Sequence, residues 1–188
     1  PLIFTNLGQQ LYMIVDASIV GRGVGVKALA AVGSTDWSYW LILWTITGLT
    51  QGFGVFVSRY FGEKDYDKMN RSITMSTILC VVIGAVLTLI GVLAARPLLI
   101  LLETPADILD GAVTYLTTMI SGTLIVIAYN MAASILRAFG DGRSPLVAML
   151  IAGLMNIGLD LLFVLVFHWG IFGAAIATVS AQFVSFLY

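Results

Sequence analysis

Four stretches of this chain carry no Asp, Glu, Lys or Arg at all: residues 37–58, 72–95, 111–136 and 171–188. Two more are broken by one acid each, 1–21 by Asp16 and 144–168 by Asp160. Crossing the hydrocarbon of a bilayer as a helix takes about 20 consecutive apolar residues. Six candidate spans follow, the first and last of them close to the chain ends. Buried β-strands are excluded on length, because a strand is typically about 5–6 residues. The expected fold is an all-α membrane protein, a bundle of six transmembrane helices. The composition agrees: 60% of the 188 residues are hydrophobic and only 10% are charged, too few to coat a water-soluble core.

The same numbers remove several functions. Nine Lys and Arg face ten Asp and Glu, so the chain lacks the basic excess of a nucleic-acid binder. A single Cys80 and a single His168 leave no zinc-type ligand set. There is no phosphate-binding GxxxxGK[ST] loop and no HExxH pair. The chain is expected to be no enzyme and to need no cofactor. It is expected to lie in a cell membrane as a multi-pass protein, in a prokaryote the inner membrane, with lipid as its solvent.

Polar breaks separate the spans: Gly21-Arg22-Gly23-Val24-Gly25, the mixed-charge run from Arg59 to Arg71, Gly140 to Pro145, and His168-Trp169-Gly170. Arg96-Pro97 and Thr104-Pro105 flank a short apolar piece expected to lie at the membrane interface. The second and fourth breaks carry Arg59, Lys64, Lys68, Arg71, Arg137 and Arg143; the others carry Arg22, Lys27 and Arg96. The excess of basic residues places the second and fourth on the cytoplasmic side.

An ionisable side chain within a span costs about 3 kcal/mol at the bilayer centre and is a functional candidate by default. Asn156 and Asp160 are spaced i, i+4, on one helix face. Gln9, Tyr12 and Asp16 share a face of the first span. The fourth span offers Tyr129, Asn130 and Ser134, and the sixth Thr178. Lipid rejects such groups, so they are expected to face a common interior. Two carboxylates with no intramembrane Lys or Arg invite a proton or a hard cation such as Na⁺, which prefers oxygen ligands. Two plainer readings stand beside this one: Asp16 as an interface residue paired with Arg22, and Thr178 bonded back to its own helix. An intramembrane aspartic-protease dyad and a channel are the competing classes.

Several motifs in series sharpen the reading. They are Leu11-Tyr12-Met13-Ile14-Val15-Asp16 followed by Gly21-Arg22 and Ala28-Leu29-Ala30-Ala31-Val32-Gly33; Gly52-Phe53-Gly54 ahead of Ser58-Arg59-Tyr60-Phe61-Gly62-Glu63-Lys64-Asp65; Leu136-Arg137-Ala138-Phe139-Gly140-Asp141; Asn156-Ile157-Gly158-Leu159-Asp160; and Gly173-Ala174-Ala175-Ile176-Ala177-Thr178. With these the sequence resembles the amino-terminal half of a multidrug and toxic compound extrusion (MATE) transporter. The resemblance implies that residues 1–188 form the amino-terminal six-helix lobe of a twelve-helix protein, incomplete at both ends, whose partner is a second lobe or a second copy. It implies export of cationic or amphipathic compounds in exchange for H⁺ or Na⁺. It also implies that Asp16, Asn156, Asp160 and Thr178 form the coupling-ion site, where Na⁺ could bind. Asn130 resembles a supporting polar position, and Gln9 and Tyr12 resemble cavity-lining positions. The nearest alternative is a flippase for lipid-linked oligosaccharides in the same broad superfamily, which is expected to carry basic residues in its cavity.

Overall fold

The computed structural model describes residue 15 and residues 17–188. A first helix, α1, runs over 17–23 of the described chain. It is followed by α2 (Val26–Gly62), α3 (Tyr66–Leu101), α4 (Ala106–Ser121), α5 (Thr123–Ala138), α6 (Arg143–Asp160), a π-helical segment (Leu161–Val166) and α7 (Gly170–Leu187). Four of the described helices are long and apolar enough to cross a membrane, counting α6 with its π-helical extension, and there are five when the bent pair α4–α5 is counted as one span. Large apolar side chains such as Leu89 and Leu93 of α3 are exposed on the outside of the helix bundle.

Helix ends follow local chemistry. Asp65 caps α3, its carboxylate accepting from the Lys68 backbone N–H at 3.1 Å, as an N-cap carboxylate does for an orphan donor. The Lys68 side chain bonds the same carboxyl and holds its pKa below the ordinary 3.8. Ahead of α6, Asp141 accepts from the backbone N–H groups of Arg143 and Ser144. Pro145 occupies the first turn, where its missing N–H costs nothing.

The loops sort into two sets. The rings of Phe61 and Phe139 pack at a tilt of 48° with centroids 5.2 Å apart, joining the α2–α3 and α5–α6 turns at one end. At the other end Lys27 pairs with Asp107 at 3.1 Å and Arg96 with Asp110 at 3.0 Å. This is the alternation that the distribution of basic residues requires.

Three expectations need correction. The piece after Arg96-Pro97 is not a separate interfacial segment, because α3 continues through Pro97 to Leu101. Proline removes one intrahelical bond, but Ala95 and Leu99 beside it are fully buried with Ala112 and Leu116 of α4, and that packing carries the helix past the proline. The second span starts at Val26 and not at residue 37, because Ala28, Ala31 and Thr35 continue its buried stripe. The run 111–136 is two helices, not one, bent by 42° at a break centred on Gly122. A Cβ at Gly122 would stand 2.6 Å from Val179 of α7, so only glycine lets α7 cross at that level.

Candidate functional site

The seam between α6 and α7 is built from small residues. After Pro145, the buried positions along α6 are Ala148, Ala152, Asn156 and Asp160, each of these four residues after the last, a single i±4 ridge. The partner helix α7 buries Gly173, Ala174, Ala175, Ala177 and Ala181, of which Ala175 packs against Tyr115 and Met119 of α4. Small side chains let membrane helices approach closely. At one end Ser185 closes the seam by donating to the Ala148 carbonyl at 2.9 Å. Toward the other end the ridge turns polar.

There Asn156 is 2% exposed and Asp160 fully buried. Asn156 Nδ2 donates to Thr178 Oγ1 at 3.1 Å, and that hydroxyl donates to the Ala174 carbonyl of its own helix at 3.2 Å. Thr178 therefore both bonds back along α7 and bridges to α6. Asn156 Oδ1 is buried and finds no hydrogen-bond partner among the described residues. A buried carbonyl oxygen left so costs about 1–3 kcal/mol. The donor set around it is all oxygen: a carboxylate, an amide carbonyl and a hydroxyl. That chemistry fits a hard cation.

The helix changes character at this point. Asp160 ends the α-helical part of α6, and the π-helical turn Leu161–Val166 begins at the next residue. One turn on, Val164 packs with Ile19 and Val20 of α1, Ala28 of α2 and Ala174 of α7. The buried carboxylate thus sits one turn from the convergence of four elements, beside a wide turn of the kind that recurs at functional sites.

The other anticipated residues divide. Asp16, Gln9 and Tyr12 lie outside the described residues. Asn130 donates to the Val126 carbonyl of its own helix at 2.8 Å and is not joined to the Asn156 cluster by a hydrogen bond. Ser134, expected in a common polar interior, instead donates to the Thr50 carbonyl at 2.9 Å and ties α5 to α2. Tyr129 donates to the Pro145 carbonyl at 3.2 Å.

One acidic residue was overlooked. Asp36 lies ten residues inside α2 and lines an outward groove with Trp37, Trp40, Leu41 and Trp44. Starting the second span at residue 37 puts Asp36 in a loop. The apolar spacing of Ala28, Ala31 and Thr35 was the signal that the helix had already begun.

Comparison with known proteins fits this architecture. A family model described as MatE matches residues 1–162. The Bacillus subtilis protein described as "Probable multidrug resistance protein YpnP" is 32% identical over the whole of this chain and 42% of its own length. Among solved structures, an inward-facing multidrug resistance MATE family transporter of the MOP superfamily superposes with a TM-score of 0.89 at 28% identity, over 95% of this chain and 40% of that one. A MOP superfamily transporter from Pyrococcus furiosus, whose binding pocket is described as having reversed polarity, superposes at 0.91 with 27% identity, over all of this chain and 41% of that one. The chain therefore spans about two fifths of the length of the relatives it matches.

Proposed function

The chain belongs to the MatE family, and from that premise we propose that it is the cation-coupled lobe of an exporter for cationic or amphipathic solutes. The lobe is completed by a second six-helix unit, and H⁺ or Na⁺ drives transport by alternating access. The observation that carries the reading is the trio on α6 and α7: a fully buried Asp160, one turn from a buried Asn156 whose carbonyl oxygen has no partner among the described residues, bridged to a half-buried Thr178. Names of the relatives support drug export as the activity; the multidrug description belongs to them and is extended here to this chain.

The physics of coupling is simple. A carboxylate in a dry seam is expensive when charged, by about 3 kcal/mol at the bilayer centre. Neutralising it with a proton or a cation removes that cost only in the packing that keeps the site dry. About 3 kcal/mol is roughly a hundredfold bias on a two-state equilibrium. A small ion entering from outside therefore favours the closed α6–α7 seam. A cationic solute favours the ionised state, and the reciprocal coupling of the two ligands is what an antiporter needs. The lone oxygen of Asn156 and the Thr178 hydroxyl supply further ligands for Na⁺, or orient Asp160 for a proton. Residues 144–188 hold no Lys or Arg, which weighs against a pyrophosphate-bearing lipid as cargo.

The test is export of ethidium by cells carrying the full-length protein with D160N. Export should fall to the background of non-expressing cells at unchanged membrane abundance. Normal export by D160N overturns the reading.

A further inference from the structure

We propose that the cavity between α5, α6 and α7, at the end of the bundle bearing the α5–α6 turn, holds an acyl chain of an anionic phospholipid whose phosphate rests on Arg137 and Arg143. The cavity encloses about 390 Å³, within the range of a small-molecule site. Leu136 of α5, Pro145 and Ala148 of α6, and Phe186 and Leu187 of α7 form its apolar wall. Leu136, Phe186 and Leu187 are also exposed, so the cavity opens on the outer surface of the lobe.

Three hydroxyls of the wall have already given their hydrogens away. Tyr129 donates to the Pro145 carbonyl at 3.2 Å, Ser185 to the Ala148 carbonyl at 2.9 Å, and Ser144 to the Asp141 carboxylate. A fourth belongs to Tyr188, a side chain 67% exposed. The buried part of the wall therefore has no side-chain donor to spare for a polar solute. Placing one there would cost its hydration without return, and hydrocarbon is what such a wall accepts.

The rim supplies the opposite chemistry. Arg137, in the last turn of α5, follows Leu136, and Arg143, the first residue of α6, precedes Ser144. Both are exposed, and neither makes an ion pair among the described residues. Asp141 lies between them in sequence, but its carboxylate is held by the backbone N–H groups of Arg143 and Ser144 and by the Ser144 hydroxyl. The Phe61–Phe139 contact sets the α2–α3 turn alongside. Together the two turns, 59–71 and 137–143, carry six basic and four acidic residues. At the opposite end Arg22, Lys27 and Arg96 are balanced by Glu103, Asp107 and Asp110, with Lys27 and Arg96 both paired. The spare positive charge thus sits at the end where the cavity is. It is also the end that the excess of basic residues assigns to the cytoplasm, whose leaflet presents anionic headgroups.

Charge and shape together name the occupant. Guanidinium groups bind phosphate through paired, charge-assisted hydrogen bonds. A free phosphate leaves the cavity empty, and a zwitterionic headgroup brings its own cation against the arginines. A phospholipid with a net negative headgroup satisfies both halves. The inference does not rest on the exporter reading.

The experiment measures binding of radiolabelled phosphatidylglycerol to the full-length protein in detergent micelles. Unlabelled phosphatidylglycerol should compete at least tenfold better than phosphatidylcholine, and inorganic phosphate should not compete. R137Q and R143Q should each weaken binding about fivefold, as for one arginine at a membrane surface, and the double variant more than tenfold. A132F, which fills the cavity from α5 and keeps both arginines, should weaken it at least tenfold. R71Q, at the same end but outside the cavity lining, should change it less than twofold. D160N should bind as wild type, so lipid binding and export are read separately. Unchanged binding in both the double arginine variant and A132F overturns the site, and the face is then covered by the second lobe. Full competition by phosphate makes it a soluble-anion site, and equal losses for R71Q and R137Q make it a diffuse charged film; either result also overturns the proposal.

Discussion

The α2–α5 and α6–α7 seams both bury polar side chains, and they use them in opposite ways. Between α2 and α5, Ser134 donates to the Thr50 carbonyl, and the Thr50 hydroxyl in turn donates to the Ile46 carbonyl at 3.0 Å. Gly54 lies against Ser134 so closely that an added Cβ would run into its hydroxyl. Both hydroxyls have an acceptor and the helices are locked at short range. Between α6 and α7, Asn156 bridges to Thr178 but keeps one oxygen without a partner among the described residues, next to a buried acid and a π-helical turn. A seam whose hydroxyls all find acceptors within the bundle is glue. A seam that keeps a buried acceptor in hand, where each such atom costs about 1–3 kcal/mol, is where the proposal puts the coupling ion.

The contrast can be broken at several points. The largest effect is expected for D160N, where ion-driven export should fall more than a hundredfold while the folded protein remains. Next, G54V should lower stability by about 1–3 kcal/mol through overpacking at the α2–α5 crossing. Thermal denaturation of the purified protein reads this directly, and export per folded molecule should be unchanged. In the other seam, T178V removes one oxygen worth about 1 kcal/mol. The ion concentration giving half-maximal export should rise about fivefold, and loss of the Asn156–Thr178 bridge should lower the melting temperature slightly. Smallest is S134A. An interhelical hydrogen bond in a membrane averages about 0.6 kcal/mol, so only a slight fall in melting temperature is expected, with no shift in ion dependence. A shift in ion dependence for S134A, or none for T178V, would erase the distinction between the seams.

Much of this was visible in the sequence, for reasons that can be stated. Asn156 and Asp160 stand out because an acid in a long apolar run has no solvent to explain it, and their spacing puts them on one face. The run of small residues from Gly173 to Ala177 marks α7 as a helix packed inside the bundle. What stayed hidden depends on partners distant in sequence. Pro97 reads as a helix end until the burial of Ala95 and Leu99 against α4 is known. The bend at Gly122 is set by Val179, fifty-seven residues later. Ser134 and Asn156 look alike as polar residues in apolar runs. Only the facing helix separates the one that closes a joint from the one that keeps an oxygen open. Asp36 was missed because a rule that starts a span at the last charge treats a charge inside a helix as its boundary.

The most direct test is solute efflux from proteoliposomes holding the full-length protein, with Na⁺ and pH gradients imposed separately, for wild type and D160N side by side. Wild-type efflux should follow one of the two gradients and collapse when it is dissipated, while D160N should respond to neither. Gradient-driven efflux by D160N at the wild-type rate would contradict the assignment of ion coupling to the α6–α7 seam.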